Sequence, residues 1–364
     1  MKIFFDDSNN FKYSNYFVTH RGELIDLLKP FVGKDNNFTD DERIKIYGLS
    51  EKDFTFIDKL EESDLAVLPW SWNYYYKLKI IDNAIKFVEN AFNEGKTVIS
   101  WTSGDYGVRV PFFKNLVVLR PSGYRSKLPY THQGLPVFIS DPLIDYYKCR
   151  EVFLREKSVV PVIGFCGQAI GNSFKYTKDV AKTLKKNIQY FLGLSPEEPQ
   201  TLYPSTRLRS KTLGLLESDN RLETNFIKRA KYRAGASTNE ERMKTTREYF
   251  DNMLNSDYIV CVRGGGNFSV RLYETLAMGR IPIFVNTDCL LPLADEVDWK
   301  KHVVWVDKTD LSKIGDIVLE FHNQLSPDEF IDLQLKNRKL WEDRLRLGNF
   351  FKNFIHSNIK SIIR

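Results

Sequence analysis

The stretch SDYIVCVRGGGNFSVRLYETLAMGRIPIFVNTDCLLPLADEVDW, residues 256–299, constrains the fold more than any other part of the chain. Tyr258–Val262 is an unbroken apolar, largely β-branched run, short enough to be a strand buried on both faces of a parallel sheet. Arg263 and three glycines, Gly264, Gly265 and Gly266, follow it. Glycines there let the backbone turn tightly and bring its N–H groups near an anion, with Asn267 or Ser269 placed to cap the next helix. In that helix Leu272 and Leu276 face the sheet, while Arg271 and Glu274 share another face. Gly279 stops the helix, and Ile281–Val285 reads as the next parallel strand.

A phosphate near the turn and a carboxylate one helical turn deeper suit a nucleotide sugar. Arg263, Arg271 and backbone N–H groups would hold the diphosphate, and Glu274 the ribose hydroxyls. A tight β–α turn carrying a surface Arg/Glu pair has the same local sequence.

The ordered elements Arg263-Gly264, Ser269-Val270-Arg271-Leu272-Tyr273-Glu274-Thr275-Leu276, Gly279-Arg280-Ile281-Pro282, Leu291-Pro292 and Asp298-Trp299 resemble the C-terminal core of exostosin-like glycosyltransferases. The resemblance implies an α/β, GT-B architecture: two Rossmann-like doubly wound domains facing across a cleft. It also implies transfer of a sugar from a nucleotide donor, UDP-linked by family habit, with inversion at the anomeric carbon. The acceptor would be a glycan, lipid-linked or free, or another hydroxyl. No cofactor beyond the nucleotide-sugar co-substrate is implied.

With 364 residues the chain exceeds one ordinary core, and 42% hydrophobic and 14% aromatic content can fill two. The boundaries expected are 1–150 for an acceptor domain, 159–335 for a donor domain and 336–364 for a C-terminal helical segment, with a charged linker over 141–158. Residues 1–150 hold 20 basic and 20 acidic side chains, so the net charge of +6 falls entirely on the later part. That favours an anionic ligand there. A nucleic-acid partner would require a denser basic cluster interleaved with aromatics.

Cys149, Cys166, Cys261 and Cys289 are too scattered for a metal or disulfide framework, which points to a reducing compartment. The start, MKIFFDDSNN, is no signal peptide and no run reaches membrane-span length, so the expectation is a cytoplasmic protein, or a piece trimmed of an anchor. The basic C-terminal segment, with Leu340, Leu345, Leu347, Phe350, Phe351, Phe354 and Ile355, suits either a helix crossing back to the N-terminal domain or one lying on an anionic membrane.

In the N-terminal part strands are expected at Lys2–Phe5, Ile44–Tyr47, Leu65–Leu68, Thr97–Trp101, Leu116–Leu119 and Val137–Ile139, with helices near 22–29 and 77–93. Ligands in doubly wound sheets lie beyond the carboxyl ends of strands. The aromatic stretch Trp70, Trp72, Tyr74, Tyr75 and Tyr76 would therefore either stack on an acceptor sugar or pack at the domain interface. Thr102–Gly107, after the next strand, is flanked by Gly104 and Gly107 and contains one carboxylate, Asp105, the choice for catalytic base. Asp6, Asp7, His20 and His132 are its rivals. In the basic segment 207–211, Arg207 or Arg209 is a further diphosphate candidate, Arg209 the one preferred.

An inverting transfer needs a base for the acceptor hydroxyl and positive groups for the departing diphosphate. Arg209, Arg263, Arg271 and a helix N-terminus can supply the latter, making a metal dispensable, and the chain has no Asp-x-Asp pair to hold one. A retaining transferase on the same fold, or an inactive glycan-binding relative, fits the same residues.

Overall fold

A computed structural model describes residues 1–5, 23–32, 38–169 and 173–362. Asp6, Asp7 and His20 lie outside the described residues. The first sheet has six parallel strands, β1 (Lys2–Phe4), β2 (Thr55–Ile57), β3 (Leu65–Val67), β4 (Val98–Trp101), β5 (Leu116–Arg120) and β6 (His132–Gly134), in the order β2-β1-β3-β4-β5-β6. Helices α1 (Asp40–Tyr47), α2 (Trp72–Leu78) and α3 (Ile81–Asn93) connect them. β3, β4 and β5 are buried throughout, as strands covered by helices on both faces must be.

The chain then passes through α4 (Pro142–Tyr147) into a second sheet. Its strands are β7 (Val162–Gln168), β8 (Glu223–Arg229), β9 (Tyr258–Cys261), β10 (Ile281–Asn286) and β11 (Val304–Asp307), all parallel in the order β11-β10-β9-β7-β8. The helices of this part are α5 (Ser173–Phe191), α6 (Ser205–Glu217), α7 (Asn239–Leu254), α8 (Val270–Ala277), α9 (Ile314–Gln324) and α10 (Pro327–Leu340). After α10 come α11 (Leu347–Asn353) and α12 (Ile359–Ile362), joined by single π turns.

The C-terminal helices return to the first domain. Phe350 and Phe351 are buried against Phe138, the Phe54 ring stacks on His356, and a Cβ on Gly348 would sit 2.3 Å from the Gly48 carbonyl oxygen. The Arg338 guanidinium makes a two-pronged, nearly buried pair with Asp141, the N-cap of α4, at 3.0 and 2.5 Å. Two doubly wound parallel sheets, with a C-terminal helix recrossing to the first, make the GT-B architecture expected above. The apolar face of this last segment is spent on the N-terminal domain, so it is not the face that would lie on a membrane.

Three local expectations are corrected. Ile44–Tyr47 is not a strand but the end of α1, which a reciprocal cap starts: Thr39 accepts from the Glu42 N–H while Glu42 accepts from the Thr39 N–H. Ile44 and Ile46, within that expected strand, are both half exposed. The described part of 22–29 makes turns, not a helix. The sixth strand is His132–Gly134, while Val137, Phe138 and Ile139 run past it as partly buried core residues, Phe138 packing against Phe350 and Phe351.

The aromatic stretch after β3 is also settled by burial. Trp70, Trp72, Tyr74 and Tyr75 are core residues, the Trp72 indole donating to Ser100 Oγ at 2.9 Å, so they pack the domain and do not stack on a sugar.

Candidate functional site

The carboxyl ends of β9 and β7 meet the first domain across a tight cleft. Residues 264–266 leave β9 as the expected glycine turn, but none of the three glycines has a positive φ. Their smallness serves close approach instead. A Cβ on Gly266 would lie 1.9 Å from the Asp105 carbonyl oxygen, and one on Gly265 would lie 2.7 Å from Asp105 Oδ2. The loop after β4 is thus pressed onto the turn, which places the exposed Asp105 beside the candidate diphosphate site.

Neither expected cap forms. Ser269 stands at the N-cap position of α8, is buried, and makes no side-chain cap bond. The buried Asn267 bolts the domains together: its Nδ2 donates to the carbonyls of Gly123, Thr287 and Asp288 at 2.9 to 3.0 Å, and its backbone N–H to Ser122 Oγ at 2.8 Å. The Gly264 N–H is taken by Phe268 O, whereas among the described residues those of Gly265 and Gly266 meet no protein acceptor.

The three arginines are fixed by backbone carbonyls. Arg263 donates to Tyr203 O at 2.6 Å, and Arg209 to Gln168 O at 2.5 Å and Arg263 O at 3.2 Å. Arg271 donates to Cys166 O at 2.8 Å and Val260 O at 3.3 Å, with its guanidinium over the Phe165 ring. Arg271 therefore ties together the ends of β7 and β9 at the start of α8. Among the described residues no ion pair reaches any of the three, although Arg120, Arg155, Arg229 and Arg338 all have carboxylate partners. Burial first, then Arg271 and Arg263, pushes Arg209 down to about 10, and burial also holds Arg263 below its ordinary value. Burial works against the charge of Arg209 and Arg263, and an anion entering beside them would offset that cost.

Glu274 is half-buried and accepts the Tyr249 hydroxyl, which itself accepts from Arg271 Nε at 3.3 Å. Burial raises the Glu274 carboxyl, against the Tyr249 hydrogen bond and Arg271.

A cavity of about 220 Å³ opens beside the turn, lined by Arg263, Gly265, Tyr106, Tyr203, Thr206 and Lys186 among others. Larger hollows of about 530 Å³, around Trp299 and Trp305, and about 420 Å³, between β8 and α7, contain none of the three arginines. Within the first cavity, the N-terminus of α6 and the preceding segment 197–204 were not foreseen as a wall. Pro204 stands at the N-cap of α6 and makes no side-chain cap bond, so the usual serine or threonine signal for a helix start is missing from that position.

His132, a rival for the base, is excluded by its surroundings. It is buried on β6, its Nδ1 accepts from Arg120 at 3.0 Å, and burial with Arg120 pushes it down to about 3.

Residues 156–321 match the family model of the Exostosin GT47 domain. Curated proteins matching part of the chain include a probable glucuronosyltransferase of Oryza sativa subsp. japonica, 33% identical over 70 residues, covering 19% of this chain and 16% of that protein. A probable glucuronosyltransferase of Physcomitrium patens is 29% identical over 76 residues, covering 21% and 17%, and a probable beta-1,4-xylosyltransferase of Arabidopsis thaliana is 31% identical over 70, covering 19% and 17%. The chain thus matches less than a fifth of the length of each. The crystal structure of TarM aligns over 74% of this chain and 50% of its own at 7% identity, with a TM-score of 0.35.

Proposed function

We propose, taking as premise that residues 156–321 form an exostosin GT47 domain, that this protein moves a sugar from a UDP-linked donor to a glycan hydroxyl, with inversion and without a metal. The observation that carries the reading is a set of arginines near the glycine turn that make no ion pair among the described residues, with the exposed Asp105 carboxylate against the turn.

In this mechanism Asp105 takes the acceptor's proton as the acceptor oxygen bonds the anomeric carbon. The bond from that carbon to the diphosphate breaks on the opposite face, and its electron pair leaves with the diphosphate. Arg263, Arg209 and the Gly265 and Gly266 N–H groups meet the growing charge, and Arg271 holds the strand ends that position them. These donors supply the positive charge that a divalent ion supplies elsewhere. The cavity of about 220 Å³ is smaller than the roughly 300 to 1,000 Å³ of drug-sized ligand sites, so the domains must part for a nucleotide sugar to enter.

The names of the matched relatives make UDP-glucuronate and UDP-xylose the first donors to try. A donor at about 100 times its Kd should add roughly 2.7 kcal/mol of apparent stability in thermal unfolding. Turnover of that donor in excess EDTA, giving a product of inverted anomeric configuration by NMR, is the expected result. Stabilisation without any turnover would leave only a binding protein, and retained configuration would remove the need for Asp105.

Glu274→Ala should weaken UDP binding by about 1.5 to 3 kcal/mol in calorimetry, the range for hydrogen bonds to a charged group. Its carboxylate lies one turn into α8 on the Arg271 face, where ribose hydroxyls would follow the diphosphate. Unchanged affinity would reduce Glu274 to a partner of Tyr249.

A further inference from the structure

Helix α5 is mounted the wrong way round for a globular protein. On a surface helix the apolar stripe ordinarily faces the core and the polar face meets water. Here Leu184, Ile188 and Phe191 recur at i, i+4 and i+7, one face of a helix extended by Leu192 just past its end, and that face points outward. Leu184 and Ile188 are about half exposed, while Phe191 is 75% and Leu194, just past the helix end, 74% exposed. Asp179, Lys182, Thr183, Lys186 and Asn187, on the opposite side, line the cavity beside Arg263. Among the described residues from Tyr176 to Phe191 none is fully buried, so the stripe is not covered by the other described residues.

The charge along α5 indicates what covers it. Residues 173–191 contain Lys175, Lys178, Lys182, Lys185 and Lys186 against the single acid Asp179. Lys178 and Lys185 are exposed and, at helical spacing, flank one edge of the apolar stripe. Among the described residues no helix is long and apolar enough to cross a membrane, and the lysines of α5 would forbid it. A helix with an apolar stripe and a lysine-rich polar face instead lies in the interface of a bilayer, apolar side chains in the acyl boundary and ammonium groups at anionic headgroups.

We propose that α5 is a peripheral docking surface for an anionic phospholipid membrane. A second copy of the chain is a poorer occupant: stacking two such stripes would bring lysine rims together, and one helix stripe falls short of the roughly 800 Å² per partner that a stable dimer buries. The inference does not rest on the sugar-transfer reading. If both hold, α5 sets the mouth of the cavity at headgroup level, where a lipid-linked acceptor would arrive.

The test is flotation of the intact protein with vesicles of phosphatidylcholine alone and of phosphatidylcholine mixed with phosphatidylserine, with sedimentation equilibrium in parallel. The protein should float with the anionic vesicles only and release at high salt, since exposed charges are screened there. Lys178→Glu and Lys185→Glu should each cut partitioning by about fivefold or more, the effect of roughly one lysine at an anionic surface. The triple variant Leu184→Gln, Ile188→Gln, Phe191→Gln should no longer float while keeping its circular dichroism melt, because those side chains bury little. Failure of the wild type to float, or flotation of the triple variant like the wild type, overturns the proposal. So does a wild-type dimer that the triple variant turns into a monomer, which would assign the stripe to a second copy.

Discussion

Asp105→Asn is expected to lower turnover by about 10² to 10⁴ while donor affinity changes by no more than a few-fold, the usual contribution of a general base. The substitution keeps the shape of the side chain and removes the basic lone pair. It leaves untouched the backbone carbonyl that lies against Gly266, so the closed arrangement of the domains is preserved. The measurement also separates a second explanation, in which an exposed carboxylate at the glycine turn serves only to balance the positive charge of nearby arginines. In that case removing it would tighten donor binding, because the anion would no longer compete with Asp105, and turnover would rise or stay level. Steady-state kinetics with the preferred donor, together with calorimetry of UDP, distinguishes the two. Near-normal turnover would move the base elsewhere, and Asp6, Asp7 and His20 would be the next to substitute, His132 being fixed neutral against Arg120.

Much of the scaffold was legible because parallel strands buried on both faces leave unbroken apolar runs. Leu65–Val67, Val98–Trp101, Leu116–Arg120, Tyr258–Cys261 and Ile281–Asn286 all announce themselves in this way. β8, Glu-Thr-Asn-Phe-Ile-Lys-Arg, does not, because it is an edge strand paired only with β7 and keeps polar, charged side chains along its length. His132–Gly134 was missed for a related reason: three residues held beside β5 carry no pattern of their own, while the apolar Val137–Ile139 nearby packs into the core outside the sheet.

The site divides along the same line between local and distant causes. The glycine turn, Arg263 and the Asp105 loop could be read because strand ends predict where ligands bind. What the glycines are for could not be read, since their neighbour is Asp105, about 160 positions earlier in the chain, and not a strained φ of their own. Asn267 is the plainest instance. Beside a helix start it looked like a cap, yet its amide is satisfied by Gly123 and by Thr287 and Asp288, partners that only the folded domains bring together. The outward apolar stripe of α5 was equally hidden, because helical periodicity reveals an apolar face without saying which way it is turned.

Gly266→Ala should reduce turnover by about 10²-fold, through domain closure and not through chemistry. Its backbone φ is one that alanine tolerates, so the residue itself gains no strain. The added Cβ would meet the Asp105 carbonyl oxygen at 1.9 Å, and a backbone atom, unlike the end of a side chain, cannot swing aside. The loop must therefore retreat from the turn. A displacement of about 1 Å between reacting groups is enough for a loss of that order. Binding of UDP, which needs only the C-terminal wall of the cleft, should stay within a few-fold of wild type. Small-angle scattering should show a more open particle. Gly264→Ala is the internal control: its Cβ would find only Phe268 O at 3.8 Å, an ordinary contact, so turnover should scarcely change. If Gly266→Ala kept full turnover, the pressed contact between turn and loop would play no part in the reaction, and Asp105 would lose the geometry that recommends it. If both alanine variants lost activity equally, the glycines would be needed for what they bind and not for what they let approach.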